Sequence, residues 1–170
     1  MDLKQHIRSV PDFPKKGINF YDITTLLRKP DGFAATIDSM AAPHTGQGVD
    51  LVVGIESRGF ILGAAVADRL GAGFIPIRKP GKLPSKVATE SYALEYGTDT
   101  LELHIDAIDE GQKVLIVDDV LATGGTAAAA ARLVKSIGGE LYGLSFLIEL
   151  SFLNGRDKLP GERLFSVLSY

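Results

Sequence analysis

Three runs along the chain are apolar without interruption and rich in β-branched residues: 51–55 (LVVGI), 74–77 (FIPI) and 113–117 (KVLIV). A fourth, 142–148 (YGLSFLI), is mixed but mainly apolar. Continuous rather than alternating hydrophobicity is the mark of strands buried on both faces of a parallel sheet. Between these runs the period changes. Residues 58–70 are rich in Ala, Leu and Ile and are followed by Gly71, in the place of a C-terminal cap. Residues 126–137 hold an alanine run, then Leu133, Val134 and Ile137 at helical spacing, before Gly138 and Gly139. Strand and helix in alternation predict right-handed βαβ units, hence an α/β fold with an open, mainly parallel sheet flanked by helices.

Two stretches break the alternation. Residues 2–9 read as a short helix, and 11–24 (PDFPKKGINFYDIT) are too punctuated by Pro and Gly for a long element. A helix capped by Asp31 and carrying Phe33, Ile37 and Met40 is expected next. The second break, 78–94 (RKPGKLPSKVATESYAL), is long and basic, and loops of this length usually cover or line a binding site. A hairpin pairing 94–96 with 101–104 about Gly97, Thr98 and Asp99 is expected at its end. With no repeat or linker, residues 1–170 read as one domain.

Composition narrows the function classes. The chain has 170 residues, 45% hydrophobic and 23% charged, with no cysteine, so thiol catalysis, disulfides and zinc–thiolate sites are excluded. A net charge of −3 argues against sequence-independent nucleic-acid binding. Charges near the start and a longest uncharged apolar stretch of only 59–67 fit neither a signal peptide nor a membrane span, so a cytoplasmic location is expected. His6, His44 and His104 lack metal-ligand spacing and read as surface or edge residues.

The strongest chemical signal is 114–126, VLIVDDVLATGGT. A buried strand delivers Asp118 and Asp119 to its C-terminal edge, where ligands bind in open α/β sheets. In the turn that follows (Ala122, Thr123, Gly124, Gly125, Thr126) glycines let backbone N–H groups converge, and the next helix adds its own free N–H groups and dipole. No lysine follows the glycines, so a phosphate monoester fits better than a nucleoside triphosphate. A carboxylate can accept both hydroxyls of a ribose diol. Taken alone, the aspartates also suit a helix cap and a solvated loop charge; the strand before them and the T-G-G-T after them favour ligand binding.

That segment resembles the signature of the type I phosphoribosyltransferases. The resemblance implies that Asp118 and Asp119 hold the ribose diol of phosphoribosyl pyrophosphate, and that Ala122 to Thr126 hold its 5-phosphate. Five further stretches, PDFPKKGINFYDIT (11–24), GIESRGF (54–60), IRKPGKLP (77–84), LEYGTDTLELH (94–104) and LIELSFLNGRDKL (147–159), resemble the adenine-using branch of that family in order along nearly the whole chain.

Each stretch carries an implied role. Glu56, Ser57 and Arg58 become a pyrophosphate loop with a strained peptide at Glu56–Ser57, its cis or trans state left open. Arg78, Lys79, Lys82 and Tyr96 reach the pyrophosphate from a lid at about 78–104, with Lys86 nearby, and Arg78 acts across a homodimer. Read from the residues alone, the basic run is a solvated loop. Glu95 is the implied acid–base group, with Arg58 and Lys82 assisting the leaving group; such proton transfer contributes about 10²–10⁴-fold. Adenine is held in a hood at about 1–30 by Phe20 and the backbone near Asn19 and Tyr21, with Leu150 on the opposite face. Position 21 often holds Arg in this family, so the Tyr here leaves only a backbone role. Mg²⁺ is implied with the pyrophosphate, held by ligand oxygens and water. The implied reaction is adenine plus phosphoribosyl pyrophosphate giving AMP and pyrophosphate. The competing readings are a 6-oxopurine transferase, which would favour a lysine near 147–151, and a non-catalytic sensor, for whose DNA-binding module the N-terminal region leaves little room.

Overall fold

The computed structural model describes residues 1–94 and 96–170. They group into two compact units, Met1–Ser39 and Met40–Tyr170.

In the first unit a 3₁₀ turn, Leu3–His6, leads into strand β1 (Arg8–Val10), which pairs antiparallel with β2 (Phe20–Asp22). The helix expected over 2–9 is therefore one turn followed by a strand, because 8–10 find backbone partners ten residues or more away. Between the strands the chain turns at a cis Phe13–Pro14 bond, closed by Phe13 N–H donating to the Ile18 carbonyl at 3.0 Å. Asp22 ends the hairpin and accepts from the Thr24 hydroxyl at 2.6 Å and the Thr24 N–H at 2.9 Å, where the short helix α1 (Thr24–Leu27) begins. Those bonds and the Arg8 guanidinium at 2.7 Å hold the Asp22 carboxyl down at about 2, against a small burial effect. Helix α2 (Pro30–Ala41) starts one residue before the expected cap: Pro30 opens it, as proline suits a first turn, and Asp31 lies inside.

The second unit is built on a five-stranded, fully parallel sheet. It begins with strand β3 (Leu51–Ile55), helix α3 (Arg58–Leu70) and strand β4 (Gly73–Ile77). An antiparallel hairpin of β5 (Val87–Ala93) and β6 (Thr98–His104) follows. Then come β7 (Lys113–Leu121), helix α4 (Gly125–Ser136), β8 (Glu140–Glu149) and β9 (Leu164–Ser169). The sheet order is β4-β3-β7-β8-β9. Strands β3 and β7 bury Val52, Val53, Leu115, Ile116 and Val117 completely, which is why their sequences are apolar without alternation. The alanines of α4, Ala127 to Ala131, are all buried, and their small side chains let the helix lie close on the sheet.

The hairpin and the last strand differ from expectation. The hairpin has another register than expected: residues 101–104 pair with 87–90 rather than with 94–96, β5 begins at Val87, inside the expected loop, and the turn closes with Leu94 N–H on the Gly97 carbonyl at 2.9 Å. Leu101 and Leu103 of β6 are core residues. Strand β9 has no signature in the sequence, because its residues are half-buried at the sheet edge and lack a continuous apolar run.

His44 is not a surface residue. It is 1% exposed, with its ring edge-on to Phe165 at 4.5 Å and Nδ1 3.3 Å from the Tyr142 hydroxyl, while Nε2 has no hydrogen-bond partner among the described residues. Burial, helped by the Arg163 charge, pushes its pKa down to about 4. The unfolded chain therefore takes up this proton below about pH 6.5, while the folded chain resists until about 4. Stability is expected to fall by up to about 3 kcal/mol as pH drops through that window. Denaturant titrations at stepped pH should show the slope, and His44→Phe should flatten it between pH 6.5 and 4. Equal slopes in the two proteins would contradict this role.

Candidate active site

Strands β3 and β7 are hydrogen-bonded neighbours with Gly54 opposite Val117, so the loops at their C-terminal ends lie side by side. After β3 the chain passes through a cis Glu56–Ser57 peptide and opens α3 at Arg58. After β7 it passes Asp118, Asp119 and the glycine turn into α4. The two aspartates belong to the strand itself, which runs nine residues to Leu121 rather than ending at Val117.

The aspartates differ in environment. Asp119 is 7% exposed and accepts a hydrogen bond from Arg58 Nε, forming an ion pair across the two loops. Asp118 Oδ1 accepts from the Asp119 N–H at 2.9 Å and lies against Gly59, where a Cβ would come within 2.8 Å of it. Burial first, and the adjacent Asp119 charge second, push the Asp118 carboxyl well above the usual range. Two carboxylates so close disfavour joint ionisation.

Asp118, Ala122, Thr123, Gly124 and Thr126 line one cavity of about 90 Å³, with Phe146 at its base. Gly124 is the N-cap of α4 at φ 89°, and the first N–H groups of the helix have no acceptor within it. The wall behind this turn comes from the segment after β8. A Cβ on Gly124 would lie 2.4 Å from the Gly155 carbonyl oxygen, and one on Gly155 would lie 2.5 Å from that of Ala122. Arg156 clamps that segment by a bidentate bond to Glu149 at 2.6 and 2.9 Å, to which Ser166 adds a third at 2.7 Å. The Arg156 bond, outweighing burial, keeps the Glu149 carboxyl below its ordinary value. The stretch 147–159 thus supports the glycine turn, a role that its sequence does not disclose.

Beside Arg58, Glu56 organises the start of the basic loop. It accepts from the Lys79 N–H at 2.7 Å and from Lys82 Nζ at 2.6 Å, and Arg78 Nε lies 3.4 Å away. Burial pushes the Glu56 carboxyl up, but Lys82, the Lys79 N–H and the Arg78 charge together bring it below its ordinary value. Arg78 is tied to β6 by paired backbone bonds with Glu102, and its guanidinium lies 5.7 Å over the Phe60 ring. Lys79 Nζ bonds to Asp99 and lies 3.5 Å from the Tyr92 hydroxyl. Tyr96 is exposed near the hairpin tip, and Lys86 precedes β5. Glu95 lies outside the described residues. Among the described residues no group of three or more His, Asp or Glu is placed to hold a metal ion.

In the first unit, Phe20 stands edge-on to Phe13 at 5.2 Å, and both line a mainly apolar cavity of about 420 Å³ with Val10, Arg8 and Asp22. Asn19 precedes β2 and accepts from the Ser9 hydroxyl at 2.8 Å. Tyr21 alternates to the other side of the strand from Phe20 and does not line this cavity. Leu150 belongs to the second unit, where its N–H donates to the Leu121 carbonyl at 2.9 Å.

Residues 19–158 match the model of the phosphoribosyl transferase domain. Over 169 residues the chain is 60% identical to an adenine phosphoribosyltransferase of Solibacter usitatus, covering 99% of this chain and 98% of that one. The chain belongs to the adenine phosphoribosyltransferase family. Its fold agrees with a solved member from Thermoanaerobacter pseudethanolicus at a TM-score of 0.97 and 51% identity, over 99% of this chain and 98% of the other. A Saccharomyces cerevisiae member, solved with an imino-altritol bisphosphate and adenine, superposes at 0.93 with 42% identity, over 98% and 97%. The type I phosphoribosyltransferase fold expected from 114–126 is the fold observed. No helix among the described residues is long and apolar enough to cross a membrane.

Proposed function

We propose that the protein joins adenine to phosphoribosyl pyrophosphate, giving AMP and pyrophosphate. The observation that carries this reading is the cavity under the glycine turn with Asp118 on its wall and the Asp119–Arg58 pair beside it. It has N–H groups for a phosphate, carboxylates for a diol, and cations where a leaving group would depart.

In the reaction the C1–oxygen bond to pyrophosphate breaks and a bond from adenine N9 to C1 forms. Positive charge grows on the ribose and negative charge on the departing oxygen, so fixed carboxylates and cations on the matching sides lower the barrier. Asp118 and Asp119 take the ribose hydroxyls, and Ala122 to Thr126 the 5-phosphate. Arg58, Arg78, Lys79 and Lys82 take the pyrophosphate, which replaces Glu56 as the partner of Lys82. Ser57 and Tyr96 offer hydroxyls to it, and the proton released by adenine passes to Glu95. Mg²⁺ is carried as the counter-ion of the pyrophosphate, on ligand oxygens and water. Phe20 stacks on adenine. The reading includes a homodimer in which Arg78 serves the partner's site, and a cytoplasmic location.

The test is nucleotide formation from phosphoribosyl pyrophosphate, Mg²⁺ and each purine in turn. AMP from adenine, with no product from guanine, hypoxanthine or xanthine, is the expected result; turnover of guanine without adenine would sink it. Phe20→Ala should raise the KM for adenine about tenfold, since aromatic stacking on a base is worth roughly 1–3 kcal/mol. The KM for phosphoribosyl pyrophosphate should stay put.

A further inference from the structure

Tyr92 and Asp99 sit directly opposite each other on β5 and β6. The Tyr92 hydroxyl donates to Asp99 Oδ2 at 3.2 Å and accepts from the Thr126 hydroxyl at 3.0 Å. The same Asp99 oxygen takes Lys79 Nζ, which lies 5.9 Å from the centre of the Tyr92 ring. The ring also lies against the glycine turn, 3.2 Å from where a Gly125 Cβ would stand. The base of the hairpin is held in place by more than this contact. Glu90 on β5 pairs with Arg132 of α4 at 3.1 Å, and Leu101 and Leu103 of β6 are fully buried.

The result is one hydrogen-bonded chain, Lys79–Asp99–Tyr92–Thr126, with a site residue at each end. In the proposed function Lys79 serves the pyrophosphate and Thr126 the 5-phosphate. Neither Tyr92 nor Asp99 has a place there. Asp99 opposes the effect of burial on Lys79, and the ammonium stays charged above its ordinary range.

We propose that Tyr92 and Asp99 are positioning residues that fix the spacing between the groups holding the two phosphate ends of phosphoribosyl pyrophosphate. This rests on the proposed function. A ligand that spans both ends gains from a fixed spacing, because its second contact is made at high effective concentration. A ligand that reaches one end gains nothing from it.

The experiment compares the wild type with Tyr92→Phe and Asp99→Asn. Titration calorimetry gives the affinities for ribose 5-phosphate alone and for magnesium pyrophosphate alone, and initial rates give both KM values. Tyr92→Phe is expected to raise the KM for phosphoribosyl pyrophosphate about tenfold, to leave the KM for adenine unchanged, and to move each fragment affinity less than twofold. Asp99→Asn should repeat the pattern, and it serves alone if Tyr92→Phe does not fold. Loss of the fragments by the same factor as the whole substrate would mean mere local packing and overturn the proposal. An unchanged KM for phosphoribosyl pyrophosphate would overturn it too. Wild-type protein that binds neither fragment would instead strike at the proposed function.

Discussion

Asp119→Asn is expected to lower kcat/KM for phosphoribosyl pyrophosphate by about a hundredfold while the protein stays folded. Two hydrogen bonds from the ribose diol to a carboxylate, each charge-assisted, together contribute on the order of 3 kcal/mol, and each 1.36 kcal/mol is tenfold. Asparagine keeps the shape and one acceptor but loses the charge that faces a developing cation. It also leaves Arg58 without the carboxylate to which its Nε donates. Asp118→Asn should cost less, about tenfold, because Asp118 Oδ1 is already taken up by the Asp119 N–H, which an amide oxygen accepts equally well, whereas Asp119 is the partner of Arg58. Initial rates at saturating adenine, with circular dichroism to check folding, measure both. A folded Asp119→Asn protein within threefold of wild type would refute the ribose role.

The second large effect is expected at Gly124. Alanine there must adopt φ 89°, which costs about 1–2 kcal/mol, and its Cβ would stand 2.4 Å from the Gly155 carbonyl oxygen. That oxygen is backbone, in a segment clamped by Arg156 and Glu149, so it cannot step aside cheaply. Gly124→Ala should lower the midpoint of thermal unfolding by about 5–10 °C for a chain of this size. It should also raise the KM for phosphoribosyl pyrophosphate more than tenfold, because relief of the clash displaces the N–H groups proposed to take the 5-phosphate. Gly111→Ala, at φ 82° with no described residue within 4 Å of its Cβ, isolates the conformational part and should leave KM unchanged. Equal effects from the two substitutions would show that the close approach to Gly155 does not matter.

Some elements are written into the local sequence. Helix α3 has the residue bounds that its pattern and Gly71 announce, and Gly71 is in the left-handed conformation of a C-cap. Strand β3 spans 51–55 as expected, since burial on both faces leaves an unbroken apolar run. Short, half-buried elements leave no such trace: β1, β2 and β9 each depend on hydrogen bonds to distant backbone rather than on their own composition. The basic loop is shorter than its sequence suggests, because the mixed sequence of β5, VATESYA, carries polar residues on its exposed side.

For the site the division runs differently. Asp118, Asp119 and the glycine turn are visible as chemistry in the sequence, since a strand end, two carboxylates and a flexible turn are contiguous in 114–126. Their consequences are not. That Arg58 meets Asp119, 61 residues away, follows from the pairing of β3 with β7, which no local pattern encodes. That Glu149, Gly155 and Arg156 brace the glycine turn, and that Tyr92 touches Thr126, follows from the sheet order and the packing of the hairpin on α4. Residues close in the chain declare what a loop can bind. Long-range pairing sets which charges meet and how far each is withdrawn from water.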